Sequence, residues 1–344
     1  MIIVMKQTAS VAEISGVIRA VETAGLKARP SHGARETIIG VIGATRTKVL
    51  DQIGTMPGVA QMTPVSKSFK LVNREYKPEN TVIKINGVSI GGDEFVVMAG
   101  PCSVESSEQL KESARAVRAA GGRILRGGAF KPRTSPYSFQ GMGEEGLKIL
   151  LAAKAETGLP IVTEVMAPEL VPLVSRYADI LQVGARNMQN YSLLEAVGRV
   201  KKPVLLKRGM MCTVEELLLA AEYILANGNS QVMFCERGIR TFEKATRNTL
   251  DICAVPVIKQ CSHLPVIVDP SHATGRRDII AAVSRAAVAA GADGVIVEVH
   301  PSPETALCDG DQSLHFDEFE AMMDELRPIA AAVGRRMAPQ TAQS

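Results

Sequence analysis

Short apolar runs recur along the chain and alternate with longer segments of helical periodicity. From residue 95 the two patterns repeat about every 25 to 35 residues, the period of successive strand-helix units. Eight runs predict strands at residues 95–99, 123–125, 160–163, 179–183, 203–206, 231–235, 265–268 and 294–297. Helical spacing predicts helices at residues 105–120, 144–157, 214–226 and 277–290. Eight such units are typical of a closed (β/α)8 TIM barrel rather than an open sheet.

The first 65 residues follow a different pattern, which predicts a small separate domain. Strands are expected at residues 2–5, 26–29, 37–42 and 58–62, and helices at residues 10–25 and 47–53. The order βαββαβ is that of a ferredoxin-like fold. Residues 66–80 are rich in Lys and Arg without periodicity, so we interpret them as a linker. The predicted class is α/β: a ferredoxin-like domain over residues 1–65, then a barrel over residues 81–335.

An Asn-Gly pair marks the start of the barrel segment. Asn86 and Gly87 separate two short apolar runs at residues 81–85 and 88–90, which is the signal for a β-hairpin. We expect this hairpin to close the bottom of the barrel.

Composition and charge narrow the possible partners. The 344 residues are 46% hydrophobic, enough for a full core, and their net charge of +3 is too small for non-specific nucleic-acid binding. The six cysteines include no C-x-x-C pair, which argues against a disulfide scaffold or a zinc ribbon and favours a reducing compartment. No apolar run approaches the ~18 residues of a membrane span, and the apolar start is too short for a signal peptide. We expect a cytoplasmic protein with neither nucleic acid nor membrane as a partner.

A charged or metal-binding side chain follows each of the eight predicted strands. In chain order these residues are Cys102, Arg126, Glu164, Arg186, Lys207, Glu236 with Arg237, Asp269 with His272, and Glu298 with His300. Barrel enzymes build their sites at the carboxyl ends of the strands, so we expect these side chains to meet at one mouth.

Six of the residues expected at this mouth are cations: Arg126, Lys131, Arg133, Arg186, Lys207 and Arg237. Buried cations need anions, so this number favours a ligand with several anionic groups, such as two phosphates and a carboxylate. The loop over residues 131–136 combines cations with hydroxyls and suits one phosphate. Any single cation could instead pair with Glu164, Glu236 or Asp269, and Lys207 could form a Schiff base.

A second group consists of Cys102, His272, Glu298 and Asp309. This mixture of soft and hard ligands suits Mn²⁺, Fe²⁺, Co²⁺ or Zn²⁺ better than Mg²⁺. The alternative is that Cys102 is a small buried hydrophobe and that His272 only makes hydrogen bonds. Cys212, Cys235, Cys253 and Cys261 fall in or beside predicted helices and strands and are interpreted as packing residues.

Five motifs resemble one enzyme family. They are GPCSVES at residues 100–106, RGGAFKPRTS at 126–135, QVGARNM at 182–188, DPSH at 269–272 and EVH at 298–300. Together they resemble 3-deoxy-D-arabino-heptulosonate 7-phosphate (DAHP) synthase, in the branch shared with 3-deoxy-D-manno-octulosonate 8-phosphate synthase. The resemblance implies condensation of phosphoenolpyruvate with erythrose 4-phosphate, the first step of the shikimate pathway. Residues 1–65 resemble the regulatory domain of some members.

The same resemblance implies roles for individual residues. Cys102, His272, Glu298 and Asp309 would bind one divalent metal ion. Arg186 and Arg237 would bind the phosphate of phosphoenolpyruvate, Lys207 would reach toward its carboxylate, and Arg126 and Lys131 would hold that carboxylate. Arg133, Thr134 and Ser135 would bind the aldose phosphate, while Pro132 and Ala185 complete the two binding motifs. Lys131 is the candidate for proton transfer, Glu164 is the candidate that positions water, and Cys102 and His272 would act through the metal.

Two other functions remain open at this point. The sister synthase uses arabinose 5-phosphate, but it typically has Asn at the position of Arg133, so the residues present favour the four-carbon sugar. A barrel that has lost catalysis would be an aromatic-amino-acid sensor, yet every motif position holds a competent residue. For the enzyme, the N-terminal domain suggests inhibition by Tyr or Phe within a homotetramer, with Ser31 and His32 in a loop as candidate contacts.

Overall fold

The computed structural model describes residues 1–33, 37–42, 52–63, 68–131 and 135–340. It divides into two compact units, one formed by Met1–Asn80 with Gln260–His263 and the other by Thr81–Lys259 with Leu264–Ser344. No helix in these ranges combines the length and apolarity needed to cross a membrane.

The first unit is built on a four-stranded antiparallel sheet with the order β2-β3-β1-β4. Its elements are β1 (Ile2–Met5), α1 (Val11–Thr23), β2 (Lys27–His32), β3 (Thr37–Ile42) and β4 (Val59–Thr63). Helix α1 begins with a capping box in which Ser10 accepts from the backbone N of Glu13 at 3.2 Å. One apolar cluster joins Val17 and Val21 of this helix to Ile3 and Ile39 of the sheet.

Two predictions for this unit need comment. Ser31 and His32 lie in strand β2 rather than in a loop, because β2 pairs with β3 as far as His32 opposite Thr37. The predicted helix at residues 47–53 falls mostly outside the described residues.

Residues 68–80 of the predicted linker carry several buried side chains. Leu71 is 3% exposed and Val72 is fully buried. The hydroxyl of Tyr76 donates to the carbonyl of Arg29 at 3.0 Å, and a Cβ at Gly40 would lie 2.9 Å from the Tyr76 ring. This segment is packed, although its charged residues give it the composition of an exposed connection.

The second unit is a closed barrel of eight parallel strands, which confirms the predicted fold class. Its strands are β7 (Val96–Gly100), β8 (Ile124–Arg126), β9 (Ile161–Glu164), β10 (Ile180–Val183), β11 (Val204–Lys207), β12 (Val232–Glu236), β13 (Val266–Val268) and β14 (Gly294–Glu298). Its helices are α2 (Ser107–Ala119), α3 (Gly143–Thr157), α4 (Val171–Tyr177), α5 (Tyr191–Gly198), α6 (Val214–Ala226), α7 (Ala254–Cys261), α8 (Pro270–Thr274), α9 (Ile280–Ala289) and α10 (Phe316–Ala332).

Several strands run one residue further than the apolar pattern predicts. Arg126, Lys207 and Glu298 are the last residues of β8, β11 and β14, although their polarity excluded them from the predicted strands. A polar residue can take part in strand pairing when its side chain has a charged or hydrogen-bonding partner. The backbone of these three residues is therefore held in the barrel sheet.

A hairpin precedes the barrel, formed by β5 (Ile83–Ile85) and β6 (Val88–Ile90). Asn86 and Gly87 at its turn have φ angles of 44° and 82°, the left-handed pair that an Asn-Gly turn provides. Ile83 and Ile90 share one buried cluster with inward-facing strand residues such as Met98 and Leu205. The hairpin therefore fills one end of the barrel, as predicted.

Candidate active site

A cavity of about 320 Å³ opens at the carboxyl ends of the barrel strands. Ten of the predicted site residues line it: Arg126, Lys131, Ser135, Glu164, Ala185, Arg186, Lys207, Arg237, His272 and Asp309. Cys102 and Glu298 lie behind this lining, in contact with Asp309 and His272. Pro132, Arg133 and Thr134 lie outside the described residues.

The four predicted metal ligands fall into two groups that share Asp309, and Cys308 joins the first of these groups. The first is Cys102, Cys308 and Asp309, and the second is His272, Glu298 and Asp309. Within each group the candidate ligand atoms all lie within 4.8 Å of one another. Thiolate, imidazole and carboxylate donors in this arrangement fit a borderline divalent ion, so the residues present can hold the predicted metal.

Asp309 is prepared as an anionic ligand. Its backbone has a φ of 51°, the left-handed conformation that Asp tolerates better than most residues. Burial alone would raise the pKa of its carboxyl, but the guanidinium of Arg247 and the imidazole of His272 lower it to about 2. The carboxylate therefore stays charged throughout the physiological pH range.

The imidazole of His272 is held between two carboxylates. Its Nδ1 lies 2.8 Å from Oδ2 of Asp269 and its Nε2 lies 3.4 Å from Oε1 of Glu298. Burial lowers the pKa of His272, which favours the neutral form that metals bind. Glu298 also accepts from Gln312 Nε2 at 2.7 Å, so its orientation is fixed.

Cys102 contacts both a second thiol and a lysine. Its Sγ donates to Sγ of Cys308 at 3.1 Å, and this hydrogen bond together with burial raises the pKa of the Cys102 thiol. Lys131 Nζ donates to Sγ of Cys102 at 3.0 Å and to its carbonyl at 3.0 Å. Lys131 thus links the candidate metal site to the cavity.

The cations of the cavity differ in how they are paired. Arg126 Nη1 donates to Glu298 Oε1 at 2.9 Å, and Lys207 Nζ donates to Asp269 Oδ2 at 2.5 Å. The alternative of structural pairing therefore holds for these two cations: Lys207 pairs with Asp269, one of the acids considered as a partner, and Arg126 pairs with Glu298. Nε of Arg126 is nevertheless buried without a hydrogen-bond partner among the described residues.

Arg186 and Arg237 are the cations that fit the expectation of a positive charge awaiting an anionic ligand. Across the described ranges neither has a carboxylate partner within 4.0 Å. Arg237 is buried, and burial lowers the pKa of its guanidinium. Two guanidinium groups that line one cavity without a carboxylate within 4.0 Å among the described residues have the chemistry needed to bind an anion.

Glu164 depends on the absence of a side chain at Gly184. A Cβ at Gly184 would lie 2.0 Å from Oε1 of Glu164. Gln182 Nε2 reaches Oε2 of the same carboxylate at 3.5 Å. Glu164 consequently projects into the cavity beside the Arg186 loop.

Sequence reasoning missed three residues that contact this site. Cys308 was passed over although it adjoins Asp309, and its approach to Cys102 spans 206 positions. Arg247 comes from the middle of the loop between β12 and α7, and its Nη1 lies 3.3 Å from Asp309 Oδ1. Gln312 lies three residues after Asp309, and its Nε2 donates to Oε2 of Glu298 at 2.7 Å. Of these three residues, Cys308 alone carried a signal, namely adjacency to a predicted site residue.

Comparison with known proteins adds an independent result. Residues 73–332 match the DAHP synthetase I family, and residues 1–67 match the DAHP synthase ferredoxin-like domain. The phospho-2-dehydro-3-deoxyheptonate aldolase of Thermotoga maritima is 52% identical over 334 residues, which cover 97% of this chain and 99% of that protein. The 2-dehydro-3-deoxyphosphooctonate aldolase of Syntrophobacter fumaroxidans is 33% identical over 264 residues, which cover 72% of this chain and 91% of that protein.

Solved structures agree with the sequence matches. A crystal structure of DAHP synthase from Thermotoga maritima superposes with a TM-score of 0.78 at 51% identity, covering 97% of this chain and 98% of that one. A truncated form of the enzyme from the same organism gives a TM-score of 0.74 at 53% identity and covers 78% of this chain and 99% of that one.

Fold, site and matches together define an enzyme of the aldolase-like transferases that form a carbon–carbon bond. The chain belongs to the DAHP synthase family and has that family's ferredoxin-like N-terminal domain. Its reaction class is that of 3-deoxy-7-phosphoheptulonate synthases, the aldol-type condensation of the shikimate pathway.

The difference in pairing among the cations predicts opposite effects on stability. In Arg237→Met the free energy of unfolding should be unchanged or higher by about 1 kcal/mol, because an unpaired buried cation is removed. In Arg126→Met it should fall by about 3 kcal/mol or more, because Glu298 loses its buried partner. Urea unfolding of both variants measures this contrast.

The effect of inorganic phosphate on the melting temperature gives a second test of the role of Arg237. Phosphate should raise the melting temperature of the wild-type protein and have a much smaller effect on Arg237→Met, since bound anions stabilise the folded state. A large loss of stability in Arg237→Met without phosphate would contradict the interpretation of this residue as an unpaired ligand-binding cation.

Proposed function

We propose that this enzyme condenses phosphoenolpyruvate with erythrose 4-phosphate to DAHP and inorganic phosphate, with one divalent metal ion as cofactor. The observation that carries the proposal is that a largely buried cluster of thiol, imidazole and carboxylate groups adjoins a cavity lined by two guanidinium groups with no carboxylate within 4.0 Å among the described residues. The cluster suits a Lewis-acidic metal, and the cavity suits a phosphorylated acid.

Phosphoenolpyruvate fits the deep part of the cavity. Its phosphate would bind Arg186 and Arg237, which have no carboxylate partners within the described ranges. Its carboxylate would accept from the free Nε of Arg126 and from Lys131, while Lys207 would lie between the two anionic groups. The neighbouring hydroxyl of Ser135 remains for the phosphate of the aldose, together with Arg133 and Thr134 of the same motif.

Cys102, His272, Glu298 and Asp309 would hold the metal ion. Mn²⁺, Fe²⁺, Co²⁺ and Zn²⁺ all suit this donor set, and the ion would supply Lewis acidity toward the carbonyl oxygen of the aldehyde. Cys308 lies against the same cluster and could restrict its geometry, because its Sγ is 3.1 Å from that of Cys102.

The reaction forms one carbon–carbon bond and breaks one carbon–oxygen bond. C3 of phosphoenolpyruvate would attack the aldehyde carbon while water adds at C2, and phosphate would leave as the new carbonyl forms. The fixed cations of the cavity would stabilise the developing charge without reorganising. Glu164, at the edge of the cavity, would orient the attacking water.

Lys131 is the proposed proton donor to the new alkoxide. Its Nζ lies 3.0 Å from Sγ of Cys102, so it borders both the metal cluster and the phosphoenolpyruvate site. Although burial opposes it, the neighbouring thiols raise the pKa of Lys131. The ammonium is therefore protonated before the reaction and can deliver its proton to a strongly basic alkoxide.

We also propose that an aromatic amino acid, Tyr or Phe, regulates the enzyme through its N-terminal unit. That unit contains a cavity of about 300 Å³ lined by Ser31, Gly33, Ile38, Tyr76, Lys77, Pro78 and Glu79. Glu79 and Lys77 suit the charged amino and carboxylate groups of an amino acid, and Ile38 and Tyr76 suit an aromatic side chain. A homotetramer in the cytoplasm completes the proposal. The six cysteines form no disulfide in the described structure, which suits a reducing compartment.

Phosphate release tests the proposed reaction. With phosphoenolpyruvate as donor, we expect turnover with erythrose 4-phosphate, little with arabinose 5-phosphate, none after chelation, and recovery when Mn²⁺ is restored. Preference for arabinose 5-phosphate would favour the activity named for the octonate aldolases that are 33% identical to this chain. No phosphate release with either sugar would refute both enzyme assignments.

Lys131→Met tests the proton donor. Turnover should fall about 100-fold to 10,000-fold, the usual loss when a general acid is removed. Lys148→Met is the matched control, since Lys148 is an exposed lysine on α3 that pairs only with Glu145. Near-normal turnover of Lys131→Met would remove Lys131 from this role.

Removal of residues 1–65 tests the regulatory proposal. The full chain should be inhibited by Tyr or Phe, and the truncated chain should keep its basal turnover but lose the inhibition. Ser31→Trp is a milder variant that fills the cavity of the N-terminal unit and should have the same effect on inhibition. Inhibition that survives both changes would place the effector elsewhere.

A further inference from the structure

We propose that Asp269 is a positioning residue that divides its charge between the metal site and the phosphoenolpyruvate site. The inference rests on the proposed function and goes beyond it by linking the two ligands. Its basis is one oxygen atom: Oδ2 of Asp269 lies 2.8 Å from Nδ1 of His272 and 2.5 Å from Nζ of Lys207. Asp269 itself is 1% exposed, so water does not screen either contact.

The two oxygens of the Asp269 carboxylate make different kinds of contact. Oδ1 accepts from the backbone N of His272 at 2.9 Å and caps the short helix α8. That contact is structural and would persist with an amide oxygen in place of Oδ1. Among the described residues, Oδ2 contacts the side chains of Lys207 and His272, and both of these side chains line the cavity.

The contact with His272 prepares the imidazole for a metal. Nδ1 makes no hydrogen bond of good geometry within the described residues, but the carboxylate 2.8 Å away still favours electrostatically the tautomer that carries its proton on Nδ1, which leaves the lone pair of Nε2 free. Nε2 is the nitrogen on the side of Glu298, at 3.4 Å, within the second group of candidate ligands. Asp269 therefore favours metal binding.

The contact with Lys207 has the opposite effect on the organic ligand. Lys207 is 4% exposed and lines the cavity, and its ammonium group is already neutralised by Asp269. An incoming phosphate or carboxylate must share this cation with Oδ2. Asp269 thus weakens the field that Lys207 presents to phosphoenolpyruvate.

One substitution should consequently move the two affinities in opposite directions. In Asp269→Asn the amide oxygen can still cap α8, but the group beside His272 and Lys207 becomes a neutral NH₂. We expect Mn²⁺ to bind about 10-fold to 100-fold more weakly, the usual loss when the carboxylate behind a metal-binding His is removed. Phosphoenolpyruvate should bind the metal-free protein at least as tightly as it binds the wild type.

The experiment uses the full chain and no turnover. Mn²⁺ binding is followed by the electron paramagnetic resonance signal of the free ion, and phosphoenolpyruvate binding to the chelated protein is followed by calorimetry. Asp293→Asn is the matched control, because Asp293 is also 1% exposed and ion-paired, to Lys259 at 2.8 Å and Arg335 at 2.7 Å. It precedes β14, at the opposite end of that strand from Glu298.

The outcomes separate three cases. Weaker Mn²⁺ binding with undiminished phosphoenolpyruvate binding, found in Asp269→Asn and absent in Asp293→Asn, supports the proposal. Loss of both affinities in Asp269→Asn, or no change in Mn²⁺ affinity, overturns it and leaves Asp269 as a structural residue. Failure of the wild-type protein to bind Mn²⁺ or phosphoenolpyruvate would instead refute the proposed function.

A second variant keeps the test decisive if Asp269→Asn does not fold. Lys207→Met releases Oδ2 to His272 alone and should tighten Mn²⁺ binding in the absence of phosphoenolpyruvate. Unchanged or weaker Mn²⁺ binding in Lys207→Met would contradict a divided charge.

Discussion

Closure of the eight parallel strands into a barrel is the constraint on which the site depends. Closure brings all the carboxyl ends to one rim, so residues as distant in sequence as Arg126 and Glu298 become neighbours at 2.9 Å. The barrel interior below the rim is packed with apolar side chains, which excludes water from beneath the charged layer. Charges at the rim therefore interact in a medium of low polarity, where each pairing or missing partner has a large effect.

Much of the fold could be predicted because the apolar periodicity reports backbone structure directly. All eight barrel strands and the Asn-Gly hairpin lie where the pattern places them. The ends of several strands could not be predicted, since Arg126, Lys207 and Glu298 are polar residues that pair within the sheet. Their inclusion depends on tertiary partners that a local pattern does not contain. The same limit applies to His32, whose place in β2 follows from its pairing with β3.

The site was predictable in its members and less so in its pairings. Strand-end position selected many of the residues that the fold gathers around one cavity, because the barrel converts sequence periodicity into a ring. Glu236 and His300, selected by the same pattern, contact Arg208 and Glu105 instead. Which cations keep a free charge was not predictable: Lys207 is paired with Asp269, whereas Arg186 has no such partner among the described residues. Arg247 and Asp309 lie in two different loops, and their contact could not be predicted because residues in loops follow no periodic sequence pattern.

The hairpin at residues 83–90 affects the route by which ligands enter and leave the cavity. Ile83 and Ile90 close one end of the barrel, so the described part of the cavity communicates with solvent from the rim side. If a second ligand covers the one that contacts Arg237, whose side chain is buried, the inner ligand has to enter first and leave last. When two ligands share one opening, the shape of the barrel sets the order in which they bind. That order does not depend on how tightly either ligand binds.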